Sequence, residues 1–444
     1  MTSHAIPLLA LILAAAPLLA APVAAQDGPL RIEITDGVVE PMPIAIAPFF
    51  GDPAIAADIQ GVVTADLTGT SLFRAIPAEA QIAAPASFNT PVAYAEWRAI
   101  NTQALVMAEV GQTGTGETVE ITVKFRLFDV IAGEPLGEGM QFTAARADWR
   151  RAAHKVADQI YARLTGEGPY FDSRVAFIQE TGPKDARLKR LGVMDYDGAN
   201  PVWLTDDSTL VLSPRFSPDG AGILYTSFDS GFPQIRLMDV ASVTSRAVTD
   251  GGDSMAFAPH WSPDGRWIVY SLDRAGNSDI WLMDAATGAA RPLVESPGID
   301  TSPDFSPDGS RIVFESDRSG TQQLYVQPLQ GAVEPVRISF GEGRYSTPAW
   351  SPGGDLIAFT RQNGETFHIG TMRIDGSDER ILTESFLDEG PTWAPNGRVV
   401  MFTRVTPGGD GQPRLHSVDI TGRNMRPLDL DFAASDPSWG PLQP

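Results

Sequence analysis

Cysteine is absent from all 444 residues. That excludes disulfides, thiolate nucleophiles and thiolate metal sites, and leaves no sulfur for a lipid anchor. Positive charge is scarce as well: 33 Lys and Arg face 55 Asp and Glu, a formal net charge of −22. Such a surface repels phosphate backbones and anionic headgroups, so nucleic-acid binding and polybasic membrane binding are not expected. Solubility accounts for the charge, and a basic-faced partner is the sharper alternative. Histidine is rare, with five in the chain. After the first residues no apolar run is long enough to span a bilayer as a helix, so no membrane insertion is expected.

The start of the chain reads as an export signal over residues 1–25. An apolar run from Leu8 to Leu19, broken by Pro17, precedes Val23-Ala24-Ala25, a small-x-small cleavage pattern. No Lys or Arg precedes the run, so the amino terminus and His4 supply the positive charge there. Cleavage after Ala25 would deliver the rest to the bacterial periplasm, with a core that must hold without disulfides.

What is plentiful is turn chemistry: 42 Gly and 36 Pro, without low-complexity tracts. Residues 26–170 mix helix and strand periodicities, which predicts a small α/β domain. Leu30-Arg31-Ile32-Glu33-Ile34 alternates apolar and polar, as an extended segment would. Asp52 is placed to cap a helix running to about Leu67, with Ile55, Ile59, Val62 and Val63 on one stripe. A second helix is expected over Tyr94 to Ile100, then a strand from Ala104 to Val110. Val119, Ile121, Val123, Phe125 and Leu127 keep strict period two, and Asp148 to Leu164 reads as an amphipathic helix stopped by Gly166.

From residue 171 a repeat takes over. Phe216-Ser217-Pro218-Asp219-Gly220 returns as Trp261-Ser262-Pro263-Asp264-Gly265 and Phe305-Ser306-Pro307-Asp308-Gly309, then less faithfully at Trp350 and Trp393. A truncated copy, Pro437-Ser438-Trp439-Gly440, ends the chain; the aromatic markers are spaced by 45, 44, 45, 43 and 46 residues. Pro presets the first corner of a tight turn and Gly accepts the positive φ that closes it. The pairs Ile223/Tyr225, Ile268/Tyr270, Ile312/Phe314, Ile357/Phe359 and Val400/Phe402 follow each turn on one face. Thr287-Gly288, Asp375-Gly376 and Thr421-Gly422 supply a later turn. Four strands in about 45 residues is the arithmetic of a propeller blade. A Pro two residues before each aromatic suits an edge strand, such as the innermost one at the channel.

Five complete copies leave two fragments: strands without a leading motif in Ser173 to Leu212, and the orphan motif at Pro437. Joining them completes a blade and removes the free sheet edges. The expected fold is therefore multidomain, an N-terminal small α/β domain plus a six-bladed β-propeller over residues 171–444.

Chemical motifs are few. His154, His260, His368 and His416 lie far apart with no paired metal spacing. His260 falls at a repeat position that Arg215, Asp304 and Ala349 fill elsewhere, as a strand residue would. Gly252-Asp253-Ser254-Met255 lacks the closing Gly of a nucleophile elbow. Asp195-Tyr196-Asp197-Gly198 opens like a calcium loop without the spacing to finish it, and a hairpin turn accounts for it. No catalytic residue, cofactor or metal is expected, although acidic side chains converging on the propeller channel would suit a cation.

The export signal, the small α/β domain and the Ser-Pro-Asp-Gly propeller together resemble the TolB family, periplasmic components of the Tol–Pal envelope system. Two segments carry the resemblance most specifically: Leu30-Arg31-Ile32-Glu33-Ile34-Thr35-Asp36-Gly37-Val38 running on to Ile46-Ala47-Pro48-Phe49, and Ser385-Phe386-Leu387-Asp388-Glu389-Gly390-Pro391. The resemblance implies a non-enzymatic monomeric adaptor that serves outer-membrane integrity and invagination at division. It implies that the extended amino terminus, here Leu30, Arg31, Ile32, Glu33, Ile34, Thr35, Asp36 and Gly37, engages the inner-membrane partner TolA. An alternating peptide suits such edge pairing; an ordinary first strand of the α/β domain is the alternative. Pal, the peptidoglycan-binding lipoprotein, is implied to engage propeller loops at Met255, Ala258 and Thr301. At the first of these the family pattern carries His and this chain carries Met. The family also couples the two partners, Pal occupancy changing whether the amino-terminal segment is ordered against the body. A periplasmic propeller hydrolase and a small-ligand-binding propeller are the alternative functions, the first disfavoured because no hydrolase domain follows the ring.

Overall fold

A computed structural model describes residues 30–32, 40–81, 84–250, 252, 254–330, 333–408 and 411–444. The export signal, its cleavage site, and Glu33, Ile34, Thr35, Asp36 and Gly37 lie outside the described residues. Two domains follow in order, an α/β domain and a six-bladed β-propeller.

The α/β domain is built on a mixed sheet. Strand Met42–Ile46 pairs in parallel with Phe73–Ala75 on one side and Ala104–Thr113 on the other. Ala104–Thr113 then pairs antiparallel with Glu120–Asp129, which also carries Met140–Ala145. Period-two alternation gives the sheet two apolar faces. Ile44, Ile46, Val106, Ala108, Ile121, Val123, Phe125 and Leu127 face the two long helices. Ala45, Leu105, Met107 and Phe128 face Trp97.

Helix α1 spans Pro53–Gly69; Asp52 caps it, its Oδ1 accepting the Ala54 N–H at 3.1 Å, and Pro53 occupies the first turn. The stripe expected from the sequence, Ile55, Ile59, Val62 and Val63, is buried. The short α2 covers Tyr94–Ala99, and α3 covers Trp149–Thr165, ending on Gly166 at φ +76°.

Each propeller blade has four antiparallel strands. Five are continuous in sequence, beginning with Val211–Phe216, Ser254–Trp261, Asp300–Phe305, Arg344–Trp350 and Leu387–Trp393. The sixth is stitched. Its innermost strand, Ala433–Leu442, pairs antiparallel with Ser173–Thr181, which leads outward to Leu188–Asp195 and Val202–Trp203. Trp439 Nε1 donates to Ser173 Oγ at 2.8 Å across this seam.

The Ser-Pro-Asp-Gly turns hold themselves together. Ser217 Oγ donates to Asp219 Oδ1 at 2.5 Å and accepts the Gly222 N–H at 2.8 Å, and the same bonds recur at Ser262 and Ser306. The repeated serine is thus a turn lock, buried in every case.

The innermost strands carry a feature that the repeat alone did not disclose. Immediately before each Pro, the backbone is left-handed: φ is +51° at Ser213, +48° at Ala258, +52° at Ser302, +44° at Thr347, +64° at Gly390 and +50° at Asp436. All six strands shift register at this point. A non-Gly residue before Pro pays for that conformation, so the site must be held from outside. The latch comes from the neighbouring blade. The N–H of Ser302 donates to Ser271 Oγ at 3.1 Å, that of Thr347 to Glu315 Oε2 at 2.8 Å, that of Gly390 to Thr360 Oγ1 at 3.2 Å and that of Asp436 to Thr403 Oγ1 at 3.0 Å. Ser213 N–H donates to Asp436 Oδ2 at 3.1 Å, so five of the six left-handed residues are latched and Ala258 is the exception among them.

The domains share one core. Tyr161 of α3, Tyr170 and Phe171 of the connection, and Tyr196 and Trp439 of the stitched blade belong to the same cluster as the sheet's Ile44 and Val106. Asp158 of α3 accepts the N–H groups of Tyr170, Phe171 and Asp172 at 2.7, 2.9 and 3.1 Å, which fixes the connection to the helix. Asn424, on the outer turn of the fifth continuous blade, caps the end of α1 by donating to Gly69 O at 2.8 Å. The α/β domain therefore sits on the pole of the propeller formed by the motif turns and the turns before the outermost strands.

Candidate functional sites at the two poles

The opposite pole is formed by the loops leading into the innermost strands. It exposes large apolar side chains in the loops of five consecutive blades. Leu210, Met255 and Ile299 each stand six residues before their motif aromatic, and all are exposed. Phe340 and Phe386 occupy the corresponding loops of the next two blades, at 69% and 49% exposure. Phe232, from an adjoining hairpin of the first blade, is 53% exposed. Single exposed apolar residues are ordinary, but one per consecutive blade around one pole is a surface built for contact. Of these, Met255 is the one expected from the sequence as a contact residue, and the fixed offset of Leu210 and Ile299 from the motif was there to be read as well.

Met255 and Thr301 are the second residues of adjacent innermost strands, and Ala258 lies at the mid-strand bulge of the first of them. Met255 is exposed and opposite Asp273. Ala258 is the left-handed residue of its bulge, and Thr226, which stands where other blades supply the latch, has no partner for its buried hydroxyl. Thr301 Oγ1 donates to Glu315 Oε1 at 2.5 Å, so this half-buried residue is held to the side chain that latches the next blade. Phe386 is presented by a tightly fixed loop. Asp388, fully buried, accepts Arg404 Nε and one terminal guanidinium nitrogen at 2.6 Å each, the Thr383 hydroxyl at 2.6 Å and the Ser385 hydroxyl at 2.7 Å.

Along the channel, side chains one residue before the motif aromatic link the blades. Arg215 Nε donates to His260 Nε2 at 2.5 Å, His260 Nδ1 donates to Asp304 Oδ1 at 2.8 Å, and Asp304 Oδ2 accepts the Trp350 N–H at 2.7 Å. Burial drives the His260 pKa below its ordinary value, Asp304 opposing and Arg215 adding to the effect. A neutral ring fits this relay, so His260 is a structural strand residue. Ser254, from the suspected elbow, opens a strand with no helix behind it.

Glu389 stands on the innermost strand of its blade, immediately before the left-handed Gly390. Burial, with the Asp436 and Glu180 carboxylates against the help of Lys189, pushes its pKa up to about 7 from 4.5. The folded chain then holds a proton that an unfolded Glu releases near pH 4.5, so stability falls as pH rises between those values. Glu389→Gln is expected to stabilise the protein by about 2 kcal/mol at pH 8 and by almost nothing at pH 4.5. Urea melts at the two pH values measure this, and an equal effect at both would refute it.

At the other pole, the described part of the amino-terminal segment lies on the end of α3. Ile32 N–H donates to Leu164 O at 2.7 Å and Arg31 Nε to Thr165 O at 3.0 Å. A cation on the last carbonyls of a helix is favourable. Leu30 and Ile32 are buried in the shared core while Arg31 is exposed, and none of the three joins a sheet. These three residues are docked against the shared core outside the sheet. Gly166 makes room for them, since a side chain there would collide with the Arg31 guanidinium.

The hairpin Asp195-Tyr196-Asp197-Gly198 turns where expected, with Gly198 at φ +92°. Its carboxylates meet α3: Arg150 Nε donates to Asp195 Oδ2 at 3.1 Å and its terminal nitrogen bonds Asp197. The channel acids do not form a group of three metal-ligating atoms among the described residues; that arrangement occurs instead at His154, Asp195 and Asp197.

Comparison with known proteins agrees with this architecture part by part. Residues 30–136 match the TolB amino-terminal domain and residues 161–443 the TolB beta propeller domain. The chain is 59% identical over 437 residues to the Tol-Pal system protein TolB of Dinoroseobacter shibae, covering 97% of each. It is 57% identical over 429 residues to that of Cereibacter sphaeroides, covering 96% of each. The crystal structure of TolB from Acinetobacter baumannii superposes with a TM-score of 0.79 at 28% identity, over 93% of this chain and 100% of that one. Both characteristic domains, in order and along nearly the whole length, make this chain a member of the TolB family.

Proposed function

We propose that the chain is a non-enzymatic adaptor of the Tol–Pal system, exported to the periplasm by residues 1–25. In this reading its propeller binds Pal and its amino-terminal segment binds TolA, in support of outer-membrane integrity and invagination at division. The observation that carries it is the apolar pole, with Met255 and Thr301 near the starts of its innermost strands and Ala258 at the bulge of the first, facing away from the α/β domain. The relatives' membership of the Tol-Pal system adds to it. For the second partner, the support is the seat of Leu30, Arg31 and Ile32 outside the sheet, with two apolar side chains in the shared core and two hydrogen bonds to the end of α3. Such a segment can be released as a unit, and Glu33, Ile34, Thr35, Asp36 and Gly37 would travel with it. If Pal favours the docked state, linkage requires that TolA binding weaken Pal binding by the same factor.

A pull-down with the TolA periplasmic domain tests the segment. Deleting residues 26–40 is expected to abolish capture. Gly166→Ala, which displaces Arg31 and strains a left-handed position by about 1 kcal/mol, is expected to raise capture several-fold. Capture that survives the deletion would refute the assignment.

A further inference from the structure

We propose that the junction of the two domains binds a divalent transition-metal ion through His154, Asp195 and Asp197. Each offers a ligand atom, and those atoms lie within 4.8 Å of one another. His154 is 2% exposed, and its Nε2 has no hydrogen-bond partner. An unpaired buried ring nitrogen is costly unless a ligand completes it.

The other side of the ring is arranged as metal-bound histidines are. His154 Nδ1 lies 2.7 Å from Asp66 Oδ2, and Asp66, 1% exposed, takes the Tyr196 hydroxyl on its other oxygen at 2.6 Å. A carboxylate behind one imidazole nitrogen fixes the ring and makes the opposite nitrogen the better donor.

Carboxylates are concentrated here: Asp66, Asp195 and Asp197 converge on His154 and the Arg150 guanidinium, with Arg174 opposite Asp195 on the neighbouring strand. Arg150 and Asn200 both bond Asp195 Oδ2, Arg150 also bonds Asp197 Oδ2, and the Ala199 N–H bonds Asp197 Oδ1; Asp195 Oδ1 is left out of these contacts. One imidazole with two carboxylates suits zinc, manganese or cobalt rather than calcium. Ligand bonds of about 2.0–2.2 Å require the donors to draw together by roughly 1 Å, with Arg150 moving aside. The ion would tie α3 to the hairpin of the stitched blade and so clamp the domains. Nothing in this depends on which partners the chain binds.

The test uses the chelator-treated full chain, titrated calorimetrically with zinc, with cobalt absorption as a second readout. One equivalent is expected to bind with a Kd in the micromolar range or below, giving cobalt bands and a raised melting temperature. Asp197→Asn, at a partly exposed position, is expected to weaken binding at least tenfold while the apoprotein still melts cooperatively. Arg150→Gln, which removes the competing cation, is expected to tighten it. Absence of saturable one-site binding, or affinities unchanged in both variants, would overturn the proposal.

Discussion

Removing Ala433–Pro444 is expected to lower the melting temperature by more than 20 °C or to leave the chain aggregated. The segment is the innermost strand of the blade that closes the ring. Its loss exposes the edge of Ser173–Thr181, an unpaired ladder that invites association with other chains. Trp439 leaves the shared core, where it lies against Tyr170 and Tyr196 at 6.1 and 6.2 Å between ring centroids. A large aromatic removed from a core costs about 3–5 kcal/mol by itself. The Asp436 latch on Ser213 goes with it, as do the Gln443 N–H bond to Asp172 O at 2.8 Å and the Arg151 bond to Pro444 O at 2.8 Å. The damage therefore reaches the first blade and the α/β domain together. Differential scanning calorimetry with size-exclusion chromatography measures it; a soluble monomer melting within a few degrees of the full chain would contradict the closure argument.

Asp388→Ala is expected to cost about 3–5 kcal/mol, far more than an ordinary loop substitution. Two hydrogen bonds tie Arg404, itself largely buried, to Asp388. Without the carboxylate, that guanidinium keeps its desolvation cost and loses its counter-charge, and Thr383 and Ser385 lose an acceptor. Asp388→Asn, which keeps an acceptor but not the charge, should fall between. The Ser385 bond also positions the neighbouring Phe386, so the alanine variant should blunt the apolar pole as well as the fold. Urea unfolding of the three proteins is the measurement, and a loss below 1 kcal/mol for Asp388→Ala would contradict the account.

Much of the fold was legible because its signals are local. The Ser-Pro-Asp-Gly spacing marks each turn, period two marks Ile121 to Leu127, and Asp52 and Gly166 bracket helices by their capping chemistry. Even the stitched blade could be inferred, since an orphan motif and an orphan set of strands had to meet. What stayed hidden depends on contacts between distant segments. The left-handed residue before each Pro is readable only once the neighbouring blade supplies its latch. Asp66, His154 and Tyr196 have no sequence relation; α1, α3 and a blade hairpin bring them together. The exposed pole was hidden for another reason: an apolar residue at a strand start reads as core until the topology shows that nothing covers it.

The most direct test of the adaptor reading is calorimetric titration of the full chain with the periplasmic domain of Pal, beside Phe340→Ser and Phe386→Ser variants. Saturable one-to-one binding is predicted, weakened at least tenfold in either variant while melting temperatures stay within a few degrees. No heat at micromolar concentrations, or binding indifferent to both substitutions, would contradict the assignment of that pole to Pal.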